Sequence, residues 1–370
     1  MFVEDIQEIL EAWAPRKLAW ERDNVGLQVG STGRRVRRIL VTLDVSNSVV
    51  EEARQKKIDL IVSHHPLIFT PIRAMTEDDR TGRLLVKLAR YKIALFSAHT
   101  NLDFTHSGVS TTLAEKLGLK NLDVLSQRAD VYKKIVVFVP SSHSEKVMEA
   151  MSSAGAGKIG NYESCSFRVD GTGTFKGSNE THPFVGRPGS LERVAEQRLE
   201  MIVPSWNVNR VIDAMRGVHP YEEIAYDVYD LSNRNSNYGA GIIGELKRAT
   251  TLRTFLRQIQ RALSVPVLRY VGNQQHTVRR VAVCGGSGTE LLEQAVHQHA
   301  DVFITADVKY HSFQQAEDSI ALVDAGHFET EVPVVQTVVE HLKSHITARG
   351  ENVKIIASQQ SHNPVQYFFS

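Results

Sequence analysis

Apolar positions along this chain fall into two rhythms. RRILVTLDVS (37–46), DLIVS (59–63) and KIALFSAH (92–99) are short runs, apolar nearly throughout, as strands buried on both faces are. Before and between them, apolar residues recur every three or four positions. Residues 1–13 align Phe2, Ile6, Ile9, Leu10 and Trp13 on one helical face, and 46–57 read as a helix capped by Ser46. Residues 76–90 gather Leu84, Leu85 and Leu88, and 110–119 end at a glycine. Strands of this kind alternating with helices predict a parallel or mixed sheet covered on both sides.

The rhythm changes near residue 125. KKIVVFVPSSHSEKVMEAMSSAGA gives a strand and a helix. SCSFRVDG sets Cys165, Phe167 and Val169 against Ser166, Arg168 and Asp170, the alternation of a half-exposed antiparallel strand. A strand at 198–204, a helix at 205–217 and an alternating strand at 223–231 follow, with glycines and prolines between 171 and 189 marking a hairpin or loop. The order β-α-β-(β)-β-α-β suits a small α+β ferredoxin-like domain. After a polar exit linker at 231–237 the first rhythm resumes. GIIGEL, VPVLRYV, RRVAVCGG, DVFITA and IALVDAG are strand candidates, and a long helix runs from about His327 to Ala348. The reading is one α/β domain with a central mixed sheet, residues 1–127 and 238–370, interrupted by an inserted module at 128–237. The alternative is three domains in a row.

Composition removes several classes of function. A formal net charge of +1 gives no broad attraction to nucleic acid or an anionic membrane, although GRRVRR (33–38) is locally basic. Two cysteines, Cys165 and Cys284, cannot form a disulfide framework and fit a reducing compartment. The start, MFVEDIQEILEAW, lacks a signal peptide's basic and apolar regions, and no apolar run reaches membrane-span length. A cytoplasmic location is expected.

The chemistry sits at strand ends. Three apolar runs finish in ligand-type side chains: His64 and His65 in DLIVSHHPLIF, His99 and Asp103 in ALFSAHTNLD, and Asp324, His327, Glu329 and Glu331 in IALVDAGHFETE. In open α/β sheets ligands bind beyond the carboxyl ends of the strands, so distant clusters can converge there. His327 and Glu331 are four apart and share one face of a first helical turn, a compact half-site for a divalent metal. Alone each cluster is weak, since loop histidines usually only hydrogen-bond and Asn and Asp favour turns. Together they supply more N and O ligands than one tetrahedral ion needs, and a carboxylate can bridge two ions roughly 3.5–4 Å apart, which favours a dinuclear centre.

Other features are fainter. CGGSGTE places Gly285, Gly286 and Gly288 before a helix, where amides can cradle a phosphate; a tight turn is the equal alternative. ITADVKYH sets Asp307, Lys309 and His311 after a strand. There Lys309 can neutralise substrate charge and His311 can move a proton, or the segment is a solvated loop. WERDNVGLQVG packs Asp23, Asn24 and Gly26 into a turn before a strand, and Cys284 reads as a small core residue.

DNVGLQVG, SHHPLIF, SAHTNLD, AVCGGSG, ITADVKYH and DAGHFETE occur in this order, and the set resembles the Nif-three-like dinuclear metal centre proteins, also called GTP cyclohydrolase 1 type 2 homologs. GAGKIGNYESCSF and HPYEEIAYDVY resemble the PII/CutA-like insert of the longer bacterial members. The resemblance implies a Nif-three-like α/β metal-binding domain with an inserted α+β ferredoxin-like domain. It implies two metal ions held by His64, His65, Asp103, His327 and Glu331, with Glu331 bridging and His99 behind them, orienting a ligand or substrate. It also implies a toroidal homohexamer, a trimer of dimers. The donor set suits zinc, iron, manganese, cobalt or nickel.

These parts fit a hydrolase acting on a nucleotide-like or phosphorylated small molecule. The ions would activate water, His311 or His99 would protonate the leaving group, and Lys309 with the glycine loop would hold a phosphate. The competing expectation is a non-catalytic metal-binding, regulatory or metal-delivery protein whose insert serves sensing or assembly. Nucleic-acid binding ranks third.

Overall fold

The computed structural model describes residues 1–129, 131–235 and 237–368. The chain divides into two compact units, Met1–Gln127 with Ser236–Ser370, and Arg128–Asn235. Ser236, in the polar linker, lies outside the described residues, and 231–235 carry no helix or strand. No helix among the described residues is long and apolar enough to cross a membrane.

The first unit opens with α1 (Val3–Trp13), β1 (Gly26–Val29), β2 (Arg38–Thr42), α2 (Asn47–Gln55), β3 (Leu60–Ser63), α3 (Arg80–Tyr91), β4 (Ala94–Ser97), α4 (Thr100–Asp103), α5 (Val109–Lys116) and β5 (Lys120–Gln127). The second holds β6 (Tyr132–Pro140), α6 (Ser144–Ser153), β7 (Phe167–Phe175), β8 (Glu192–Pro204), α7 (Val208–Arg216) and β9 (Tyr226–Asp230). The first resumes with β10 (Gly239–Thr251), α8 (Leu252–Leu263), β11 (Arg269–Val271), β12 (Thr277–Ser287), α9 (Leu292–His297), β13 (Val302–Ala306), α10 (Tyr310–Ala316), β14 (Ala321–Asp324), α11 (His327–Glu331), α12 (Val334–Ala348) and β15 (Lys354–Ala357).

Where the sequence suggested one central sheet, the first unit has two mixed sheets. One runs β1-β4-β3-β2-β15, parallel except for β1; the other runs β11-β14-β13-β12-β10-β5, with β12, β13 and β14 parallel. Each sheet is apolar on both faces because helices cover both. Ile6, Leu10, Val338 and Leu342 of α1 and α12 pack on Ile39, Val62 and Phe96, while Val49, Leu84 and Leu88 of α2 and α3 pack on Leu40, Ile61 and Leu95. Leu113, Phe255 and Ile259 cover one face of the second sheet, and Leu292, Ala295 and Ala316 the other. The helix starts follow local chemistry. Ser46 Oγ accepts from the Val49 amide as read from sequence, whereas α3 begins only at Arg80, because Asp79 caps it by accepting from the Gly82 amide.

Three expectations change. The long helix from His327 breaks into α11 and α12 at Pro333, which has no amide to continue the hydrogen-bond ladder and sits at the start of the new helix. Strands β5 and β15 carry no strong apolar pattern, since both lie at sheet edges. In the second unit the sheet order is β7-β8-β6-β9 with every neighbour antiparallel, the β-α-β-β-α-β arrangement. Its helices bury Ile135, Val137, Val139, Leu199 and Met201, but the apolar side of β7 faces the other way, leaving Phe167 and Val169 exposed.

Phe96, 2% exposed, anchors the strand that leads to His99. Phe96→Ala lowers the stability of this unit by about 3–5 kcal/mol. Urea denaturation followed by Trp13 and Trp20 fluorescence in a Trp206→Phe background measures it.

Candidate metal centre

Five strands, three from one sheet of the first unit and two from the other, end around one point. Strand β3 runs out into His64 and His65, whose amides still bond to the carbonyls of Thr42 and Leu43 beyond β2. Strand β4 leads to His99, just ahead of α4, with Asp103 at that helix's end. Strands β2 and β13 lead to Asp44 and Asp307, and β14 leads through Gly326 into α11, which carries His327 and Glu331. Gly326, at φ +84°, makes a turn that a side chain would obstruct, because an added Cβ would lie 2.3 Å from Glu329 Oε2.

All four histidines are tethered in the same way. Nδ1 lies 2.8 Å from the Ala98 carbonyl in His64, 2.8 Å from Asp44 Oδ1 in His65, 3.0 Å from the Asp23 carboxylate in His99, and 2.7 Å from Asp307 Oδ2 in His327. An oxygen acceptor at Nδ1 keeps a proton on that nitrogen, so Nε2 is the atom that offers a lone pair once the ring is neutral.

The carboxylates stand among these nitrogens. Glu331 Oε2 is 2.9 Å from His65 Nε2 and 3.1 Å from His327 Nε2, and its Oε1 is 3.9 Å from His64 Nε2. Asp103 Oδ1 is 3.6 Å from His64 Nε2. Yet His64 Nε2, Asp103 Oδ1 and Glu331 Oε2 are buried and make no hydrogen bond of acceptable geometry. Orphaned inward-facing N and O atoms suit a cation of N/O preference. Two overlapping groups can hold one, His64 with His65 and His99, and His65 with His327 and Glu331, each with ligand atoms within 4.8 Å of one another.

The charges follow from this crowding. Burial drives the His64 imidazole down to about 3, so it is neutral. Burial also opposes charge on His65, but the hydrogen bond to Asp44 and the close Glu331 carboxylate prevail and lift it to about 10. His327, with the Glu331 carboxylate 3.1 Å from its Nε2, rises to about 9 against the cost of burial. Burial alone would raise Glu331; His327 and His65 instead hold it well below the usual carboxylate range. Asp103 is pushed up by burial and then by the Glu331 charge. Asp23 falls to about 2, the hydrogen bonds from His99 and Thr100 outweighing burial.

The structure brings together His64, His65, His99, Asp103, His327 and Glu331, and His99, which the resemblance put behind the ligands, lies close enough to His64 and His65 to offer a nitrogen beside theirs. It keeps others apart. Asp324 accepts from the amides of Val308 and Gly326 and pairs with Arg269, while Glu329 accepts from Asn363. The Gly285 and Gly286 amides donate to Ser110 and Thr330, so neither is free for a phosphate. Their smallness serves the centre instead. A Cβ on Gly286, at φ +65°, would lie 2.0 Å from Glu331 Oε1, and one on Gly288 would lie 2.4 Å from Cys284 Sγ. Burial holds the Cys284 thiol protonated, as befits a packing residue. Lys309 and His311 are exposed at the start of α10; His311 contacts Tyr310 and Gln314, and neither residue bonds to the cluster. Asp44 was missed from sequence, and Asp23 and Asp307 were seen only as turn and loop residues. A carboxylate just beyond a strand end was the available signal.

Two predictions follow from the tethers. Asp44→Asn frees His65 to reorient and weakens metal binding about 10–100-fold, measured by competition with a chromophoric chelator. In the metal-free protein the His65 and His327 charges stabilise the fold fully below the ordinary imidazole value of 6.5, and this is lost as pH rises through about 9 and about 10. A metal must displace those protons, so loading at pH 7 releases about two per chain. Calorimetry in buffers of differing ionisation enthalpy measures the number, and a heat independent of buffer would refute it.

The comparisons with known proteins agree with this geometry. The family description Duf34/NIF3 (NGG1p interacting factor 3) matches residues 1–364. A Halalkalibacterium halodurans protein named GTP cyclohydrolase 1 type 2 homolog is 40% identical over 362 residues, 97% of each chain. A Bacillus subtilis protein of the same name is 38% identical over 369 residues, 98% of each. The crystal structure of a Bacillus cereus protein related to NIF3 superposes with a TM-score of 0.86 at 41% identity, covering 100% of this chain and 99% of that one. With its strand ends, tethered histidines and whole-length matches taken together, the chain belongs to the Duf34/NIF3 family.

Proposed function

We propose that this protein is a metal-dependent hydrolase with a dinuclear divalent-metal centre, acting on a nucleotide-like or phosphorylated small molecule. The observation that carries the reading is the set of four imidazoles, each with Nδ1 tied to an oxygen, of which His64, His65 and His327 turn Nε2 towards Glu331 or Asp103. His64, His65, Asp103, His327 and Glu331 would hold the ions, with the two Glu331 oxygens facing different histidines. Divalent ions held there supply a water of lowered pKa and polarise the bond under attack.

The chain's own residues set the conditions for that chemistry. Asp44, Asp307 and the Ala98 carbonyl hold the ligating rings in one orientation, so little reorganisation is needed. His99 is the residue assigned to moving a proton on the leaving group. It is partly exposed, no carboxylate of the centre bonds to it, and Asp23 fixes its tautomer from behind. The exposed Phe69 ring, 6.3 Å from that of His99, gives a planar substrate an apolar surface on this side. The name borne by the relatives makes a guanine nucleotide the first substrate to try.

Glu331→Gln is expected to lose bound metal from about two equivalents per chain, and to lose turnover by at least about 100-fold with the fold retained. Elemental analysis and a panel of nucleoside triphosphates and phosphomonoesters measure both. Metal-replete wild type that turns over no member of the panel would overturn the hydrolase reading and favour a metal-binding or regulatory protein.

A further inference from the structure

The second unit contains a cavity of about 620 Å³ that the metal chemistry does not use. That size lies within the roughly 300–1,000 Å³ typical of small-molecule sites. It opens on the sheet face opposite α6 and α7. Register puts Phe138 and Val169 opposite Arg198, and Gly171 opposite Glu196, so all these positions share that face.

The strand DGTGTF explains why the space exists. Glycine inside a strand often marks a place where something must approach closely. A Cβ on Gly173 would lie 2.0 Å from Glu196 Oε2, so the absent side chain is what lets that carboxylate lie in the cavity wall. Glu196 is only 8% exposed, and among the charged residues lining the cavity it alone is buried. Its Oε1 accepts a hydrogen bond from Tyr221 Oη at 2.7 Å. Its Oε2 makes no hydrogen bond.

The HPYEE stretch (219–223) holds this arrangement in place. His219 Nδ1 accepts from the Tyr221 amide, so Nε2 carries the proton and donates to the Phe138 carbonyl on the neighbouring strand. That brace aims Tyr221 at Glu196. Tyr221 in turn meets Phe175 and Phe184 with ring centroids 5.9 and 6.3 Å away. The result is a buried carboxylate, with one oxygen free, set in a wall of four aromatic rings that includes Phe138.

We infer that this cavity is a binding site for an organic cation, a protonated amine carried on a flat apolar body. The ammonium donates to the free oxygen of Glu196, and the aromatic rings face both the cation and the body. Arg198, the nearest lining cation along the sheet, is turned to Glu200 and leaves the Glu196 charge available. The inference does not rest on the proposed hydrolase activity.

Three isosteric probes test it on the full-length protein by calorimetry: tryptamine, neutral tryptophol and anionic indole-3-acetate. One tryptamine is expected per chain, at least about ten-fold tighter than tryptophol, with indole-3-acetate failing to bind. Glu196→Gln should abolish the preference for tryptamine over tryptophol while leaving tryptophol binding in place. Phe184→Ala removes a half-exposed ring, so folding is not at stake, and it should weaken both ligands together. Absence of saturable tryptamine binding, or a tryptamine preference that survives Glu196→Gln in protein of unchanged circular dichroism, would overturn the assignment.

Discussion

Glu331 is a carboxylate buried where two sheets end, and the arrangement around it depends on keeping it charged. A lone carboxylate in that position would neutralise. Here His65 and His327 approach it within about 3 Å, and Gly286 gives up its side chain so that Oε1 has room. The demand spreads outward. His65 and His327 can serve only if their far nitrogens are held, which fixes Asp44 and Asp307, and those two aspartates can stand there only because β2 and β13 end where they do. The fold is in this sense a device for bringing five strand ends to one carboxylate.

Much of this could be read from residues 60–103 and 320–331 alone. Fully apolar runs announced the strands, and His, Asp and Glu just past their ends announced a shared site. The rest depended on facts that no local pattern carries. Asp44 follows an ordinary strand and becomes informative only once β2 is known to lie beside β3. Gly285 and Gly286 looked like a phosphate loop because glycines before a helix can be one; only the Ser110 and Thr330 hydroxyls at their amides exclude it. Pro333 stands in plain sight, but the helical spacing of Val335, Val338 and Leu342 just beyond it suggests one unbroken helix.

The second unit taught a different lesson. Alternation along SCSFRVDG signals a half-exposed strand with two unlike faces, and nothing in that pattern says which face is covered. The helices chose the face set by Ile135, Val137 and Leu199, and so left Phe167 and Val169 outward. Periodicity reports that two faces differ; which of them meets a neighbour is decided by the partner strands.

The strand pairings also bear on what the second unit costs its host. Gln127 pairs with Gly239 in β5 and β10, and Lys133 pairs with Asp230 in β6 and β9. The second unit therefore leaves its host and returns at two adjacent points, replacing what would otherwise be the tip of a hairpin. Loop-closure cost grows only with the logarithm of length, and a folded loop whose ends already touch escapes most of it. To the host, the whole module is little more than a turn. Its length can change without widening the gap between β5 and β10 that it spans.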